Sequence, residues 1–413
     1  MVPEMINRKL YWLTTIVARV VPILTTLLVT RLYSPEEFGR FQILIAYCGA
    51  VIPFVNLKLS FLIAKLREDS AVQRLAVLVM WLIPVSGLVA SVVLYSVLDL
   101  AGFEYPFLTV FAVIILWGLF EFLVNILGIL NRFELGGVGT FLQAIITEGS
   151  KLLAGMSNPS FAALIWSWVL GYVVGFVFLL RFSGFSLLRI SRRTFAVFGL
   201  LVRRNAMKLV YRVTSSVVMM MNNRALIIIS ALFLSAGDVG LLAIAYLFVN
   251  FPSVLFAQPI SKLNFTHARE LIKQRKHDQL FPDLLKLGIC SLIAGILITV
   301  CFQLFFGDII LWILPVHWHG AADYVRVLSF LIPCQFLSST VAQSFSLFDR
   351  DASVLLFNCI VFTIYVAVFY VFRLLGFTFE ISLVVLVIAH STIRVMQFGL
   401  LLIYARKFAA DAR

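Results

Sequence analysis

Four basic residues lie within long apolar stretches of this sequence, at Arg19, Lys151, Arg224 and Arg394. A charge near the centre of a bilayer costs at least about 2.5–3.5 kcal/mol, so such a residue normally faces a wet cavity or an ion-pair partner. Cations in a confined space of low dielectric constant attract anions far more strongly than in water, and arginine offers paired donors that match phosphate oxygens. The four residues therefore predict a cationic chamber with an anionic ligand.

Arg19 belongs to a stripe of polar residues in the first apolar stretch. Residues three or four apart lie on one face of a helix, and a polar face inside a membrane should turn toward protein or water. We therefore expect Arg19 to face the chamber. The alternative is an ion pair with Glu121 or Glu148 that joins two helices. The members of the stripe are Thr15, Arg19, Pro22, Thr26 and Thr30.

The other three cations have neighbours that leave more than one interpretation open. Glu148 precedes Lys151 by three residues, a spacing at which the pair can neutralise itself as readily as bind a ligand. Arg224 lies near the centre of its stretch, and we expect it to point inward. His390 and Arg394 are four residues apart on one helical face. Because histidine titrates near neutral pH, His390 is a candidate for proton coupling, and otherwise it is a structural residue.

Four further residues complete the candidate site. Lys58 lies toward the inner end of the second stretch, where it can contact a headgroup or simply extend its amine toward water. Glu121 is the best carboxylate for coupling to a proton or sodium ion, with a salt bridge as the alternative. Gln335 and Ser339 share a helical face and can bind sugar hydroxyls or hold helices together.

The sequence contains no pattern typical of an enzyme or a metal site. Its five cysteines all fall in apolar stretches without ligand spacing, so we expect neither disulfides nor structural zinc. No phosphate-binding loop, catalytic triad or metal-hydrolase motif is present. We therefore predict no enzyme activity, no metal and no cofactor.

The elements that must position these residues are membrane-spanning helices. Of 413 residues 62% are hydrophobic and 13% charged, whereas soluble domains are about 45–50% apolar and about 25% charged. The apolar blocks are long enough to cross about 30 Å of hydrocarbon, and the connections leave no room for a soluble domain. We predict an all-α membrane protein with about twelve spans, near 10–30, 41–64, 75–98, 107–130, 138–157, 160–181, 213–234, 238–260, 284–306, 322–345, 354–374 and 381–404.

Basic residues predict the topology. With the amino terminus inside, most of the 33 lysines and arginines fall in inner segments, and the outer segments contain only Arg31, Arg40, Arg326 and Arg373. This asymmetry is the positive-inside pattern and places both termini in the cytoplasm. The net charge of +13 is then explained by inner loops beside anionic lipid headgroups, so membrane lipid is expected as a partner and nucleic acid is not.

A faint internal repeat divides the chain into halves. Ser34 is followed after four residues by Gly39, and Ser235 in the same way by Gly240, with an acidic residue two positions before each glycine. Six spans in each half make a parallel repeat, and transporters of this design bind substrate where the halves meet. We predict an N-lobe at 1–181, a basic cytoplasmic connector at 182–212 and a C-lobe at 213–413, arranged as two six-helix lobes around a central cavity.

The turn Ser34-Pro35-Glu36-Glu37-Phe38-Gly39 after the first span resembles a turn of the polysaccharide-biosynthesis flippases, members of the multidrug/oligosaccharidyl-lipid/polysaccharide exporter superfamily. The stretch from Gly237 to Tyr246, with Phe251-Pro252 and Pro259-Ile-Ser-Lys262-Leu263 beyond it, is similar to the seventh-to-eighth span region of that family. Span number and cytoplasmic termini agree along the whole chain. One departure is Asn222-Asn223-Arg224, which stands where many members have an acidic residue, and it leaves the ion coupling open.

The resemblance implies a flippase that moves an undecaprenyl-diphosphate-linked oligosaccharide across the bacterial inner membrane by alternating access. Such a protein would serve assembly of O-antigen, capsule or exopolysaccharide, with a polysaccharide polymerase and chain-length proteins as partners. Two alternatives remain. A cation-coupled multidrug exporter of the same superfamily should have a cavity dominated by carboxylates and aromatic residues. A membrane polymerase or ligase of lipid-linked sugars should have a large outer loop, whereas the outer connections here are short.

Overall fold

The computed structural model describes residues 2–64, 66, 68–185, 192–348 and 351–411. Over these residues the chain is helical, with short π-helical and 3-10 turns and no strand. Together with the turns that continue them, the helices form twelve long segments, ten of which are long and apolar enough to cross a membrane. The prediction of an all-α membrane protein is confirmed.

Internal contacts divide the chain into two compact units, Met1–Arg224 and Ala225–Arg413. The first unit contains seven helices and most of an eighth among the described residues. They are α1 (Val2–Leu32), α2 (Pro35–Val55), α3 (Ser60–Ile63), α4 (Asp69–Leu100), α5 (Phe107–Ile129), α6 (Phe133–Ser157), α7 (Phe161–Ser183) and α8 (Arg192–Ser230). The predicted connector is helical from Arg192 onward and continues into the predicted seventh span within α8, where Asn205 alone has non-helical backbone angles.

The second unit begins in the last turns of α8. Among its described residues, short π-helical or 3-10 turns join several helices into longer rods, as at 253–257 and 302–306. Its helices are α9 (Ala236–Pro252), α10 (Gln258–Lys273), α11 (Leu280–Cys301), α12 (Gly307–Ile313), α13 (Ala321–Leu328), α14 (Ile332–Val341), α15 (Asp351–Leu374) and α16 (Phe379–Asp411). Basic residues concentrate at the carboxyl-terminal end of α10 and in the turn that follows it, at Arg269, Lys273, Arg275 and Lys276.

The repeat seen in the sequence is a pair of helix caps. The Ser34 hydroxyl accepts a hydrogen bond from the Glu37 backbone N–H at 3.3 Å and caps α2. The Ser235 hydroxyl accepts from the Asp238 backbone N–H at 3.2 Å and caps α9. Such caps satisfy backbone donors that a helix start leaves unpaired. The serine and the acidic residue three positions later therefore recur because both helices begin in the same way.

The second spanning segment of each unit departs from α-helical geometry after a proline. In the first unit α2 ends beyond Pro53, and Leu57 and Lys58 have φ angles of +45° and +47° before α3 starts. In the second unit α9 ends at Pro252 and passes through a π-helical turn into α10. Proline removes a backbone donor and disrupts the helix that contains it. Lys58 is therefore presented from a turn inside a spanning segment.

Helices α6 and α7 pack closely because glycine lines their contact. At Gly171 a β-carbon would lie 1.9 Å from the Thr147 hydroxyl and 2.8 Å from the Gln143 carbonyl oxygen. At Gly175 it would lie 2.9 Å from the Gln143 β-carbon. Small residues allow such an approach in membrane helices, where packing rather than hydrophobicity drives association. Helix α6 of this pair also packs against α1.

Candidate functional site

Lys151 lies in a buried ion pair on α6. Its ammonium nitrogen is 2.7 Å from one carboxylate oxygen of Glu148, and the two side chains are 10% and 6% exposed. The Thr25 hydroxyl on α1 donates to the other Glu148 oxygen at 2.8 Å, and the Lys151 ammonium stands 5.2 Å from the centre of the Phe41 ring on α2. The pair therefore joins three helices, which favours the structural interpretation of Lys151 over ligand binding.

The polar stripe of α1 is turned into protein at its carboxyl-terminal end. Thr26 and Thr30 are buried, and their hydroxyls donate to the carbonyls of Pro22 and Leu27 in the same helix. Arg19, further toward the amino terminus on this face, is half-buried. The Thr26 and Thr30 hydroxyls are thus used in hydrogen bonds within α1. Arg19 is the member of the stripe whose charge suits an anionic ligand.

A cavity of about 410 Å³ opens in the first unit beside the turn that carries Lys58. Helices α3, α5 and α8 and the turn before α3 supply its walls, so parts of the chain far apart in sequence meet there. Most of its lining is polar or charged side chains, namely Lys58, Ser60, Asn125, Arg212 and Ser216. The cavity lies within the first unit alone.

Positive charge exceeds negative charge around this cavity. The Lys58 ammonium is 3.9 Å from a Glu121 carboxylate oxygen on α5, a long and partly exposed contact. The Arg212 guanidinium lies 3.6 Å from the centre of the Phe61 ring on α3. Among the residues that the structure describes, no carboxylate comes within 4 Å of Arg212. Two cations thus face a cavity with one nearby acid.

Arg224 and Glu121 share a neighbour in the first unit. The charges of both act on the hydroxyl of Tyr172 in α7, and the Tyr172 ring stacks on Trp168 with the ring centres 3.8 Å apart. Arg224 itself is half-buried, whereas the preceding Asn223 is exposed. The predicted ligand role of Arg224 and the predicted coupling role of Glu121 stay predictions.

In the second unit Arg394 lies in a hydrogen-bonded group on α15 and α16. Its Nε donates to His390 Nε2 at 3.2 Å and its Nη1 to Gln397 Oε1 at 2.9 Å. His390 Nδ1 lies 3.1 Å from the Tyr365 hydroxyl. In the described ranges no carboxylate is within 4 Å of Arg394. Arg394 is thus a cation inside a spanning helix whose side-chain partners are neutral.

These hydrogen bonds assign the form of His390. Arginine only donates, so His390 Nε2 must accept, and the ring proton must then lie on Nδ1. A second proton would break the bond from Arg394 and place two cations side by side. The arrangement favours His390 as a neutral support for Arg394 over the proton-coupling role, which stays a prediction.

Gln335 and Ser339 lie on α14, which packs against α16. The Gln335 amide nitrogen donates to the Asn250 side-chain oxygen on α9 in a short hydrogen bond. Ser339 is half-buried one turn further along. The contact joins α14 to α9, so helix packing accounts for Gln335, and sugar binding by either residue stays a prediction.

Sequence reasoning missed two residues that the structure brings to these groups. Arg212 was counted only as one of the basic residues of an inner segment, although it faces the same cavity as Lys58. Tyr365 was assigned no role, although a hydroxyl in the middle of a predicted span needs a hydrogen-bond partner and finds one in His390. The position of Tyr365 in its span was the available signal. No comparable pattern marked Arg212.

Comparison with known proteins identifies the fold. The sequence matches no known family profile and no curated protein. Among solved structures, the lipid II flippase MurJ in an inward closed conformation superposes with a TM-score of 0.69 at 13% identity, over 96% of this chain and 87% of that one. An inward-facing multidrug resistance MATE family transporter of the MOP superfamily gives 0.60 at 11% identity, over 99% and 98%.

A third structure, MATE in complex with MaL6, gives a TM-score of 0.55 at 12% identity, over 99% of this chain and 97% of that one. At sequence identities this low, a superposition shows a shared architecture but does not show a shared substrate. The chain therefore has the fold that these MATE and MurJ structures share.

Proposed function

We propose that this protein is a flippase that moves an undecaprenyl-diphosphate-linked oligosaccharide across the bacterial inner membrane by alternating access. The observation that carries the proposal is Arg394, a half-buried cation in a spanning helix with only neutral side-chain partners among the described residues. A membrane charge without an opposite charge is costly. An anionic passenger supplies that opposite charge, and a diphosphate has it.

The passenger has a diphosphate, sugars and a polyprenyl tail, and a different environment is proposed for each. Each of Arg19, Arg224 and Arg394 is proposed to bind the diphosphate, and Gln335 and Ser339 are proposed to bind the sugars. The polyprenyl tail stays in lipid. Both termini lie in the cytoplasm, and the product feeds a polysaccharide polymerase and chain-length proteins during assembly of surface polysaccharide. These assignments form one proposal, because each follows from an anionic headgroup on a long apolar chain.

Multidrug export is the second candidate, and one observation favours it. The chain superposes over nearly its whole length on a multidrug resistance MATE family transporter. Export of cationic drugs needs accessible carboxylates in the spans. Glu148 is already bound to Lys151 and Thr25, which leaves Glu121 as the carboxylate that could serve such a cavity.

The two candidates are separated with purified protein in proteoliposomes. The measurement is exposure of a fluorescent headgroup on a polyprenyl-diphosphate oligosaccharide to a membrane-impermeant quencher, alongside efflux of cationic dyes. We expect headgroup translocation without dye efflux, strong loss in Arg394→Gln and partial activity in Arg394→Lys. Arg326→Gln, at an exposed residue paired with Asp323, is the control and should retain full activity. Dye efflux with no headgroup translocation would establish the exporter instead.

A further inference from the structure

The cavity of the first unit has the composition of a binding site for a phosphate group. Its volume of about 410 Å³ falls within the range of about 300–1,000 Å³ typical of small-molecule sites. Lys58 and Arg212 supply positive charge to the cavity, and Ser60, Asn125 and Ser216 supply hydrogen-bonding groups. Charged and neutral donors that converge on one space are what a phosphate requires.

Arg212 is held in a way that leaves its donors available. Its guanidinium lies 3.6 Å from the Phe61 ring centre, so one flat face of the group is covered by the aromatic ring. The N–H bonds of a guanidinium lie in its plane and point outward from the edge. Stacking therefore fixes the plane of the side chain while its edge stays able to bind two oxygens of one phosphate.

Lys58 is presented by a strained turn and weakly held. Leu57 and Lys58 have positive φ angles of +45° and +47°, a backbone conformation that residues other than glycine rarely adopt. Strain of this kind concentrates at functional sites. The ammonium is 3.9 Å from Glu121, and both side chains are about a quarter exposed, at 24% and 26%. A phosphate with two negative charges can outcompete one carboxylate at that distance.

The position of the cavity suits the inner leaflet. Lys58, Asn125 and Arg212 lie where the second and fourth predicted spans end and the seventh begins. In the topology predicted from the basic residues, all three of these ends are cytoplasmic. A lipid headgroup approaching from the cytoplasmic leaflet would meet this cavity before any residue at the centre of the spans.

We infer that this cavity receives the phosphate or diphosphate headgroup of a lipid, held between Lys58 and Arg212, and that the headgroup displaces Glu121 from Lys58. The inference rests on the proposed function, since it adds the step that precedes transfer to the central arginines. Arg212 is assigned as a binding residue, and Glu121 acts here as a competitor for Lys58.

The test measures binding to the full-length protein in nanodiscs of uncharged lipid, without any transport step. The probe is farnesyl diphosphate, with inorganic diphosphate, farnesol and phosphatidylglycerol as comparison arms. We expect Lys58→Gln and Arg212→Gln each to weaken binding of farnesyl diphosphate by about tenfold or more, the scale of one charge-assisted hydrogen bond. Glu121→Gln should strengthen binding several-fold, because it removes the competitor.

Arg203→Gln, at another exposed arginine of α8 that does not line the cavity, is the matched control and should bind as the wild type does. Equal binding of inorganic diphosphate would assign the site to free phosphate, and equal binding of phosphatidylglycerol would assign it to bulk lipid; either result overturns the headgroup assignment. Stronger binding of farnesyl diphosphate by Glu121→Gln cannot arise from misfolding. The test therefore remains decisive even if Lys58→Gln or Arg212→Gln is unstable.

Unchanged affinity in Lys58→Gln, Arg212→Gln and Glu121→Gln would overturn the site, even if headgroup translocation by the wild type proceeds. Conversely, cavity-dependent binding without any translocation in proteoliposomes would leave the site standing and reject the proposed function. The two failures are therefore distinguishable.

Discussion

Charged residues in the spans of this protein differ in whether a neighbour neutralises them. Lys151 has Glu148 on its own helix at 2.7 Å, whereas Arg394 is bonded to the neutral His390 and Gln397. A buried ion pair is neutral as a unit, but removing one partner leaves the other charge uncompensated. Lys151 therefore contributes to stability. Arg394 is not neutralised in this way, so its charge is available for a ligand.

Replacing Lys151 by methionine should destabilise the protein by about 3–5 kcal/mol, because the Glu148 carboxylate is left buried without its cation. Lys151→Met combined with Glu148→Leu should recover most of the loss. The measurement is the unfolding midpoint of the purified protein in detergent. If Lys151→Met alone were as stable as the wild type, Lys151 and Glu148 would not form this ion pair in the protein.

The role of His390 is tested by the pH profile of transport. His390→Gln retains an acceptor for Arg394 and a donor for Tyr365, so it should keep the pH dependence of the wild type with at most a modest loss of rate. Headgroup translocation is measured across a pH range spanning the ordinary histidine pKa of about 6.5. A flattened profile would instead assign proton coupling to His390. Val395→Leu, at an exposed position on the same helix, serves as the control.

At the scale of helices, the glycine-lined contact of α6 with α7 fixes where the charged residues of α6 point. Gly171 of α7 lies against the Thr147 hydroxyl and the Gln143 backbone of α6. Glu148 and Lys151 belong to the same helix α6. Separation of the two helices would disturb the ion pair and, through Thr25, the position of α1. The packing of two glycine-lined helices therefore supports the first unit's polar interior.

Gly171→Ala should destabilise the protein by about 1–3 kcal/mol, the usual cost of overpacking, because the new methyl group has no room beside α6. Gly149→Ala is the matched control. A β-carbon there meets nothing within 4 Å, and alanine is the better helix former by about 0.5–1 kcal/mol. Unfolding midpoints should thus shift in opposite directions. A common direction would contradict the packing described for α7.

At the scale of the whole chain, the apolar blocks predict about twelve spans, and the basic residues predict that both termini lie inside. Ten described segments satisfy the length and composition of a span. Helix α6, which is not one of these ten, carries Glu148 and Lys151 and packs against α1 and α7. Polar helices of this kind are stable in a membrane when they turn their polar faces to protein. The composition of α6 is thus explained by its neighbours.

Single cysteines introduced into a variant without native cysteines should report this topology. Lys273→Cys at the end of α10 should react with an impermeant maleimide only from the cytoplasmic side, and Val316→Cys, in the turn after α12, only from outside. Both positions are exposed. Labelling is compared in intact cells and inverted vesicles. Reaction of Lys273→Cys from outside would invert the topology and move the cavity of the first unit to the outer leaflet.

The sequence was sufficient for the spans and for the interpretation that Lys151 and Glu148 neutralise each other, and it showed the repeated pattern at Ser34 and Ser235 without identifying it as a helix cap. Each of these depends on residues within a few positions of one another, where helical periodicity is decisive. Lys58 and Glu121 were both selected as candidates, but their contact was not foreseen. It depends on how α5 is rotated about its axis relative to the turn after α2, which periodicity does not specify.

Arg212 shows the same limit more strongly. Its partner Phe61 lies in another helix, and nothing in the intervening sequence records their contact. The split of the spans after Pro53 and Pro252 was visible only as two prolines at similar positions, and the positive φ angles at Leu57 and Lys58 have no sequence pattern. Contacts between distant helices and strained turns are products of tertiary packing, so they appear only in the structure.

The ion pair of α6 has a consequence for how the protein is made. A helix that leaves the insertion machinery with Glu148 and Lys151 three residues apart carries its own counter-charge, so it can enter lipid before α7 is synthesised. Helix α16 brings Arg394 with no acidic residue beside it. Its transfer into lipid depends instead on the surrounding apolar residues and on His390, whose ring is hydrogen-bonded to Tyr365, already synthesised in α15. Biogenesis of the second unit is therefore coupled to the order in which its last two helices emerge.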